Sequence, residues 1–410
     1  MSTKQQWLTD AQVVAFEEFL NSVGIQNYEL KCSPAIEDGE NFGGVILNVD
    51  LLGVKNSDVP INHFIIKCSP RSALAHSAVP FVNVYNLEIY LYSTIFPEFL
   101  QIQKEKDVGE VFQPSPKFYT SLIKHREEML VLEDVKLRWY VHHHRYLPLN
   151  YDHVLIMVKQ YAKIHALSYA IRDQKAQVFQ EFQKNMCKHF YEDLNYGSFD
   201  EYITHRFTYA LQALNRDHDG VLYDKFLNFY ENWNSILKGL MSKSRYPVIC
   251  HVDCGISNAL FKYQHSTKIP VDAIILDWQH SRMDSPAVDL VTFILSSADT
   301  SALEQFDGLV VEYYNSLSSF LRELGSDPNE VLPFEVLKSE LKTYGIVGLF
   351  MTVLLLHVYA AGDQKLPSLV TDESYSDGFA LTYNLDDRTQ YDCRMRAAIF
   401  QFHKLGYNFV

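Results

Sequence analysis

The residues best suited to chemistry lie in one octapeptide, His251-Val252-Asp253-Cys254-Gly255-Ile256-Ser257-Asn258, with the spacing H-x-D-x-x-x-x-N. Phosphoryl transfer to a hydroxyl needs a carboxylate near the attacking oxygen and ligands for magnesium on the nucleotide phosphates. An Asp and an Asn on one tight loop can supply both, with Asp253 facing the acceptor hydroxyl and the Asn258 amide oxygen facing the metal. Nineteen positions on, the apolar run Ile274-Ile275-Leu276 is followed directly by Asp277-Trp278-Gln279. A carboxylate at the end of a buried strand beside such a loop is placed to be the main magnesium ligand. Taken singly, each pattern also fits a capping Asp in a polar loop or turn.

A third signal lies upstream. Lys67 ends the apolar run Phe64-Ile65-Ile66, where an ammonium is costly unless it has a partner. Glu88 follows 21 residues later, within a stretch whose apolar positions Tyr85, Ile89, Tyr92 and Phe96 recur at helical spacing. A Lys–Glu pair between a strand and its packed helix holds the α- and β-phosphates of a nucleotide in register. The plainer alternative is two unrelated surface charges. In Asp38-Gly39-Glu40-Asn41-Phe42-Gly43-Gly44 the candidates for backbone approach to phosphates are Asn41, Gly43 and Gly44, although the segment is not G-x-G-x-x-G.

These groups need elements to position them. Thr9-Asp10-Ala11-Gln12 reads as a capping box before a helix whose face is Val13, Phe16 and Leu20. Alternation at Val45, Leu47, Val49 and Leu51 predicts a strand, and Phe64–Ile66 a second. The helix carrying Glu88 is expected to stop at Pro97. Strands follow around 118–123 and 129–132. From about Asp134 the pattern turns helical, with segments at 151–172, 178–194, 202–214 and 227–240. Strands at 258–263 and 273–276 interrupt it. The reading is α+β: a small sheet lobe, residues 1–133, and a large helical lobe, residues 134–410.

With the residues in view, the chain resembles the insect ecdysteroid-kinase-like, or CHK-kinase-like, family, which sits with the choline and aminoglycoside phosphotransferases in the protein-kinase-like fold. The resemblance is carried by Lys67, Glu88, Leu130-Val131-Leu132-Glu133-Asp134, Ala162-Lys163-Ile164-His165-Ala166, His251 to Phe261, Asp277-Trp278-Gln279 and Ser285-Pro286-Ala287-Val288-Asp289-Leu290. It implies a two-lobed fold with an antiparallel-sheet N-lobe, and an ATP- and Mg2+-dependent kinase acting on a hydroxyl of an ecdysteroid-like or other apolar alcohol. By this resemblance Asp253 is the catalytic base, Asn258 and Asp277 are metal ligands, Lys67 touches the phosphates, and Glu88 orients Lys67. The backbone from Glu133 to Val135 pairs with adenine, and His251 and Asp289 brace the loop. Two departures bear on the acceptor: Val252 stands where such families usually carry Gly, and Gly255 where they often carry a bulky residue.

Composition bounds the alternatives. The chain has 410 residues, more than one ordinary core holds. Its 47% hydrophobic content makes it globular, and a net charge of −14 repels nucleic-acid phosphates. The six cysteines form no CxxC pair, which suits reduced thiols in a cytoplasmic protein. Residues 344–362 carry no Asp, Glu, Lys or Arg and are long enough to span a bilayer, but a buried helix of the large lobe accounts for them and no membrane role is expected. Consecutive His142-His143-His144 do not converge on one ion, and His165 reads as a hydrogen-bonded core histidine. The 26 Tyr and 26 Phe suit apolar, hydroxyl-bearing pocket walls, and the stretches 139–151 and 344–357 are the candidates to line one. Rival functions are a choline- or ethanolamine-type kinase, needing an aromatic and acidic cage, and a ligand-binding pseudokinase, favoured by loss of Lys67, Asp253, Asn258 or Asp277.

Overall fold

The structure, a computed structural model, describes residues 7–35, 44–54, 62–144, 146–186, 197–253, 255–264, 267–362, 364 and 382–409. Helix α1 (Asp10–Ser22) starts with both arms of the capping box: the Gln12 amide donates to the Thr9 hydroxyl at 3.2 Å, and the Thr9 amide to the Gln12 side-chain oxygen at 2.9 Å. Its buried Phe16 and Leu20 pack on the outer face of a sheet built from β1 (Glu29–Pro34), β2 (Val45–Leu52), β3 (His63–Cys68), β4 (Phe118–Leu122) and β5 (Met129–Glu133). The sheet is antiparallel in the order β1-β2-β3-β5-β4, so β3, which carries Lys67, is central.

Between β3 and β4 run α2 (Ala73–Ala78), α3 (Phe81–Tyr90) and α4 (Phe96–Glu105). Pro97 does not stop the helix, contrary to the sequence expectation. A single wide turn, Leu91–Ile95, links α3 to α4, and the Phe96 N–H donates to the Leu91 carbonyl. Pro97 then falls in the first turn of α4, where a missing N–H costs nothing and the proline φ is already helical.

The remainder is mostly helical. In order come β6 (Tyr140–His142), α5 (Tyr151–Gln174), α6 (Ala176–Met186), α7 (Gly197–Leu211), α8 (Arg216–Leu240), β7 (Val248–Cys250), β8 (Ala259–Tyr263), β9 (Pro270–Ile275) and β10 (Arg282–Asp284). Then follow α9 (Pro286–Ser297), α10 (Thr300–Glu304), α11 (Phe306–Glu323), α12 (Pro328–Val331), α13 (Phe334–Tyr359) and α14 (Thr389–Lys404). β6, β8 and β9 make a second antiparallel sheet, and β7 pairs with β10. One core runs from Tyr85 and Phe99, beneath the first sheet, to Tyr161, Phe293 and Leu349 among these helices.

Every residue of α9 is buried, so its neighbours must be apolar too. Helix α13 is such a neighbour. Pro328–Tyr359 is long and apolar enough to cross a membrane by length and composition, with mean hydropathy 1.7, yet 72% of its apolar window is buried inside the protein. Gly348 sets how closely α13 approaches α9, because a Cβ there would stand 2.6 Å from Val291 Cβ and 2.8 Å from the Thr292 nitrogen. Gly348→Ala should therefore lower unfolding stability by about 1–3 kcal/mol through overpacking. Gly308→Ala, whose added Cβ meets nothing within 4 Å in helix α11, should leave stability unchanged or raise it. Urea titration of the two variants checks this, and equal midpoints would contradict a tight α9–α13 crossing.

Candidate active site

Lys67 lies opposite Leu130 in the β3–β5 register and is only 4% exposed. A buried ammonium must be paired, and this one is paired three times. It donates to Glu88 Oε2 at 2.7 Å, to Asp277 Oδ1 at 2.5 Å and to Gln279 Oε1 at 3.1 Å. Glu88 comes from α3, and its second oxygen accepts the Trp278 N–H at 3.2 Å. Asp277 follows β9 with φ 63° and ψ 60°, a left-handed turn at the strand end. Burial pulls the Lys67 pKa down, but the charges and hydrogen bonds of Asp277 and Glu88 outweigh it and raise it above the usual lysine range. For Asp277, burial is likewise outweighed by Lys67, and its carboxyl is held below the usual carboxylate range.

The octapeptide loop is anchored from behind. Buried Asp289 of α9 accepts the His251 N–H at 2.9 Å and the Val252 N–H at 2.8 Å. The same carboxylate meets His165 Nε2 at 3.2 Å, whose Nδ1 bonds the Tyr313 hydroxyl at 2.7 Å. His165 is thus a core histidine with both nitrogens engaged. His251 Nε2 donates to the Leu276 carbonyl at 2.8 Å, and its ring meets Trp278 edge-on at 4.8 Å, which ties the loop to the end of β9. Val252 has φ 72°, a left-handed conformation that is costly for a β-branched residue. The His251 and Val252 amide bonds to Asp289 hold the turn.

Asp253 is half-buried, with an open edge. Burial first, then the Asp277 charge, raises its pKa to about 6. Its carbonyl accepts the Asn258 side-chain N–H at 2.7 Å, which leaves the Asn258 amide oxygen as that residue's free acceptor. The Leu276 N–H donates to the Asn258 carbonyl at 2.9 Å. One hydrogen-bonded patch therefore gathers Lys67, Glu88, His251, Asp253, Asn258, Asp277 and, at one remove, Asp289.

The remaining sequence candidates fall elsewhere or outside. Asn41 and Gly43 lie outside the described residues. Gly44 directly precedes β2, the strand beside Lys67, and a Cβ on it would collide with the Cys68 carbonyl and come within 2.5 Å of the Tyr85 hydroxyl. The Glu133 amide donates to the Lys117 carbonyl at 2.8 Å, its side chain pairs with Arg138 at 3.1 Å, and Val135 is buried beside it. Of the stretches expected to line an acceptor pocket, residues 139–151 begin with Trp139, which is 70% exposed, and 344–357 pack largely inside the helical body. His142 ends β6, and the His143 ring sits 4.9 Å from His153 rather than in solvent alone.

Sequence reasoning missed two residues. Gln279 bonds both Lys67 and Asp277, the latter at 3.3 Å, and its place directly after Asp277-Trp278 was the available signal. Tyr359, at the end of α13, puts its hydroxyl where a Gly255 side chain would be and lies 3.5 Å from the Ser257 hydroxyl. Its only trace in the sequence is Gly255 itself, since a glycine marks close approach by another group.

Residues 38–326 match the sequence model of the ecdysteroid kinase-like family. The chain belongs to that family. Membership makes this ecdysteroid kinase-like protein a small-molecule phosphotransferase. No curated protein matches it. Among solved structures it is similar to a spectinomycin phosphotransferase in complex with ADP and spectinomycin, at 11% identity and TM-score 0.43, covering 95% of this chain and 98% of that one. It is also similar to a GDP complex of a variant aminoglycoside 2′-phosphotransferase, at 11% identity and TM-score 0.38, covering 86% and 91%. A microcompartment-associated aminopropanol kinase follows at 9% identity and TM-score 0.35, covering 97% and 100%.

The pairing of Lys67 in this ecdysteroid kinase-like chain has a measurable cost if broken. Lys67→Met strands Glu88 and Asp277 together without their cation and should lower stability by about 3–5 kcal/mol. Both carboxyl pKa values then rise in the folded state, so the deficit should be larger at pH 8 than at pH 5. Adding Glu88→Gln should restore part of the loss. Denaturant midpoints at both pH values test this, and a pH-independent deficit would contradict it.

Proposed function

We propose that this chain transfers the terminal phosphoryl group of ATP to a hydroxyl of a neutral, largely apolar alcohol, with ecdysteroid-like compounds as the leading class. The observation that carries the reading is the buried Lys67 ammonium gripped by Glu88 from a helix and Asp277 from a strand end, beside Asp253. In the proposed division, residues 1–133 hold the nucleotide and residues 134–410 supply the loop and the acceptor pocket. Lys67, kept in place by Glu88, contacts the phosphates, and the backbone from Glu133 to Val135 and the segment of Asn41, Gly43 and Gly44 complete the nucleotide site. Free thiols at buried Cys68 and Cys250 support a reducing, cytoplasmic setting.

The donor set fits Mg2+, a hard cation that takes oxygen ligands: Asp277 is an anionic carboxylate, and Asn258 spends its amide nitrogen on Asp253 and keeps its oxygen. When bound, the metal would neutralise charge on the phosphate oxygens. Asp253 would accept the proton of the acceptor hydroxyl as that oxygen bonds to phosphorus and the bond to ADP breaks. His251 and Asp289 hold the loop and touch no reactant.

The acceptor reading draws on an aromatic cluster of the helical body. The cluster of His357, Tyr209, Tyr383 and Tyr391 contains guanidinium groups: Arg206 lies 4.8 Å from the Tyr383 ring and Arg388 3.9 Å from the Tyr209 ring. Burial, then Arg206, holds the His357 pKa near about 2. Cations already occupying an aromatic cluster disfavour a choline-like or polycationic acceptor there and leave neutral alcohols favoured.

A screen of hydroxylated metabolites for ATP-dependent phosphorylation, read by mass spectrometry, tests the reaction and the acceptor together. Choline outperforming every sterol would overturn the acceptor class. With the best acceptor, kcat/KM should fall as pH drops through about 6, because Asp253 acts deprotonated. Asp253→Asn should cost about two to four orders of magnitude and abolish that limb. Turnover within a few-fold of the parent would contradict the assignment.

Magnesium dependence gives a separate check. ATP should raise Tm more with magnesium than without, since a ligand that binds only the folded state stabilises it. Asp277→Ala should remove the magnesium-dependent part. Equal shifts in both proteins, with and without metal, would favour a pseudokinase.

A further inference from the structure

Away from the Lys67 patch, three side chains able to bind a metal converge just beyond the end of β3. One ligand atom from each of His76, His125 and Glu128 lies within 4.8 Å of the other two. His76 stands on α2, while His125 and Glu128 come from the β4–β5 hairpin, whose turn closes with the Glu127 N–H donating to the Lys124 carbonyl at 2.7 Å. The two imidazole rings meet close to edge-on, their centroids 5.2 Å apart. Glu128 is fully buried, and a buried carboxylate is costly without a positive partner. It accepts hydrogen bonds from the Ser69 hydroxyl at 2.5 Å and from the Arg126 N–H at 3.3 Å. Both donors are neutral, and among the described residues no lysine or arginine forms an ion pair with it. The guanidinium groups of this region bond carbonyls instead: Arg126 donates to Arg71, and Arg71 donates to Trp7 at 2.6 Å.

We infer that His76, His125 and Glu128 form a Zn2+ site that ties α2 to the β4–β5 hairpin. Two imidazoles and a carboxylate are a ligand set that zinc takes, at about 2.0–2.2 Å, with water in the fourth position. Mg2+ prefers oxygen ligands and does not suit two imidazoles. Two of the three ligands already have the hydrogen bonds that orient such groups. His76 Nε2 donates to the Pro70 carbonyl at 2.8 Å, which fixes the ring and leaves its lone pair on Nδ1. The Ser69 and Arg126 bonds orient the Glu128 carboxylate, whose oxygens can each accept a further bond. His125 is exposed and completes the set by closing onto the ion, and the open side of the cluster leaves room for the water. The ion supplies the positive charge that Glu128 lacks. Ser69 directly follows β3, so the ion also braces the strand end beside Lys67. The site requires neither Asp277 nor a nucleotide, so it stands apart from the kinase reading.

Calorimetry on the full chain, stripped of metal with EDTA and then freed of EDTA, tests the site with ZnCl2 as the probe. Saturable Zn2+ binding is expected, and excess MgCl2 should not displace it. His125→Ala removes an exposed ligand without touching the core and should weaken binding by about tenfold or more. Glu128→Gln, which keeps the side chain's shape and removes its charge, should do the same. His144→Ala, among the consecutive histidines, and Asp277→Ala should both retain binding. Zn2+ should also raise Tm in the parent protein and raise it less in His125→Ala, because the ion binds the folded state. Absence of saturable binding overturns the proposal. So does an affinity unchanged in His125→Ala or in Glu128→Gln, or displacement by magnesium. Binding lost in Asp277→Ala would put the ion at the Lys67 patch and overturn it equally.

Discussion

A single buried ammonium dictates much of this architecture. Lys67 is central in its sheet, where water cannot solvate it, so carboxylates must be brought to it. One comes from α3, which must then lie against the sheet. The other comes from 210 residues away, which requires the end of β9 to reach beneath the same strand. Trp278 closes the arrangement by donating its N–H to Glu88, so helix, sheet and strand end are fixed to one another through a few polar atoms.

Asp289 plays the corresponding part in the helical body. It is fully buried, and its carboxyl pKa stays low despite burial because His165, His251 and the Val252 amide all favour the charged form. Those contacts let the chain turn sharply at Val252 and present Asp253 outward. The cost of an unusual backbone angle at a branched residue is thus offset by an anion on another helix. Through His165 and Tyr313 the same carboxylate is braced by α5 and α11.

The parts of this design that were legible in the sequence share a property: each is a local pattern with a physical reason behind it. The capping box at Thr9, the alternation of β2, and the apolar strand ending at an Asp all follow from hydrogen bonding and burial within a few residues. The Lys67–Glu88 pair was legible because a lysine in an apolar run demands a partner and the following helix offered one. Pro97 misled because the rule for proline assumes regular helix, and a wide turn just before it removes the conflict. The three-residue strands β7 and β10 have too few positions for alternation to register. Gln279 and Tyr359 escaped because their importance lies in which distant element they meet, and no periodicity encodes that.

The meeting of Tyr359 and Gly255 has a consequence for how such proteins diversify. The loop is inside the segment that the family shares, residues 38–326, whereas Tyr359 is outside it. The surface next to Asp253 is therefore assembled from a piece inside the matched segment and a piece outside it. Substitutions at the end of α13 can reshape that surface while every loop residue stays unchanged. Two members with identical loops need not accept the same compounds, and exchanging only their C-terminal helices would be a route to exchanging their preferences.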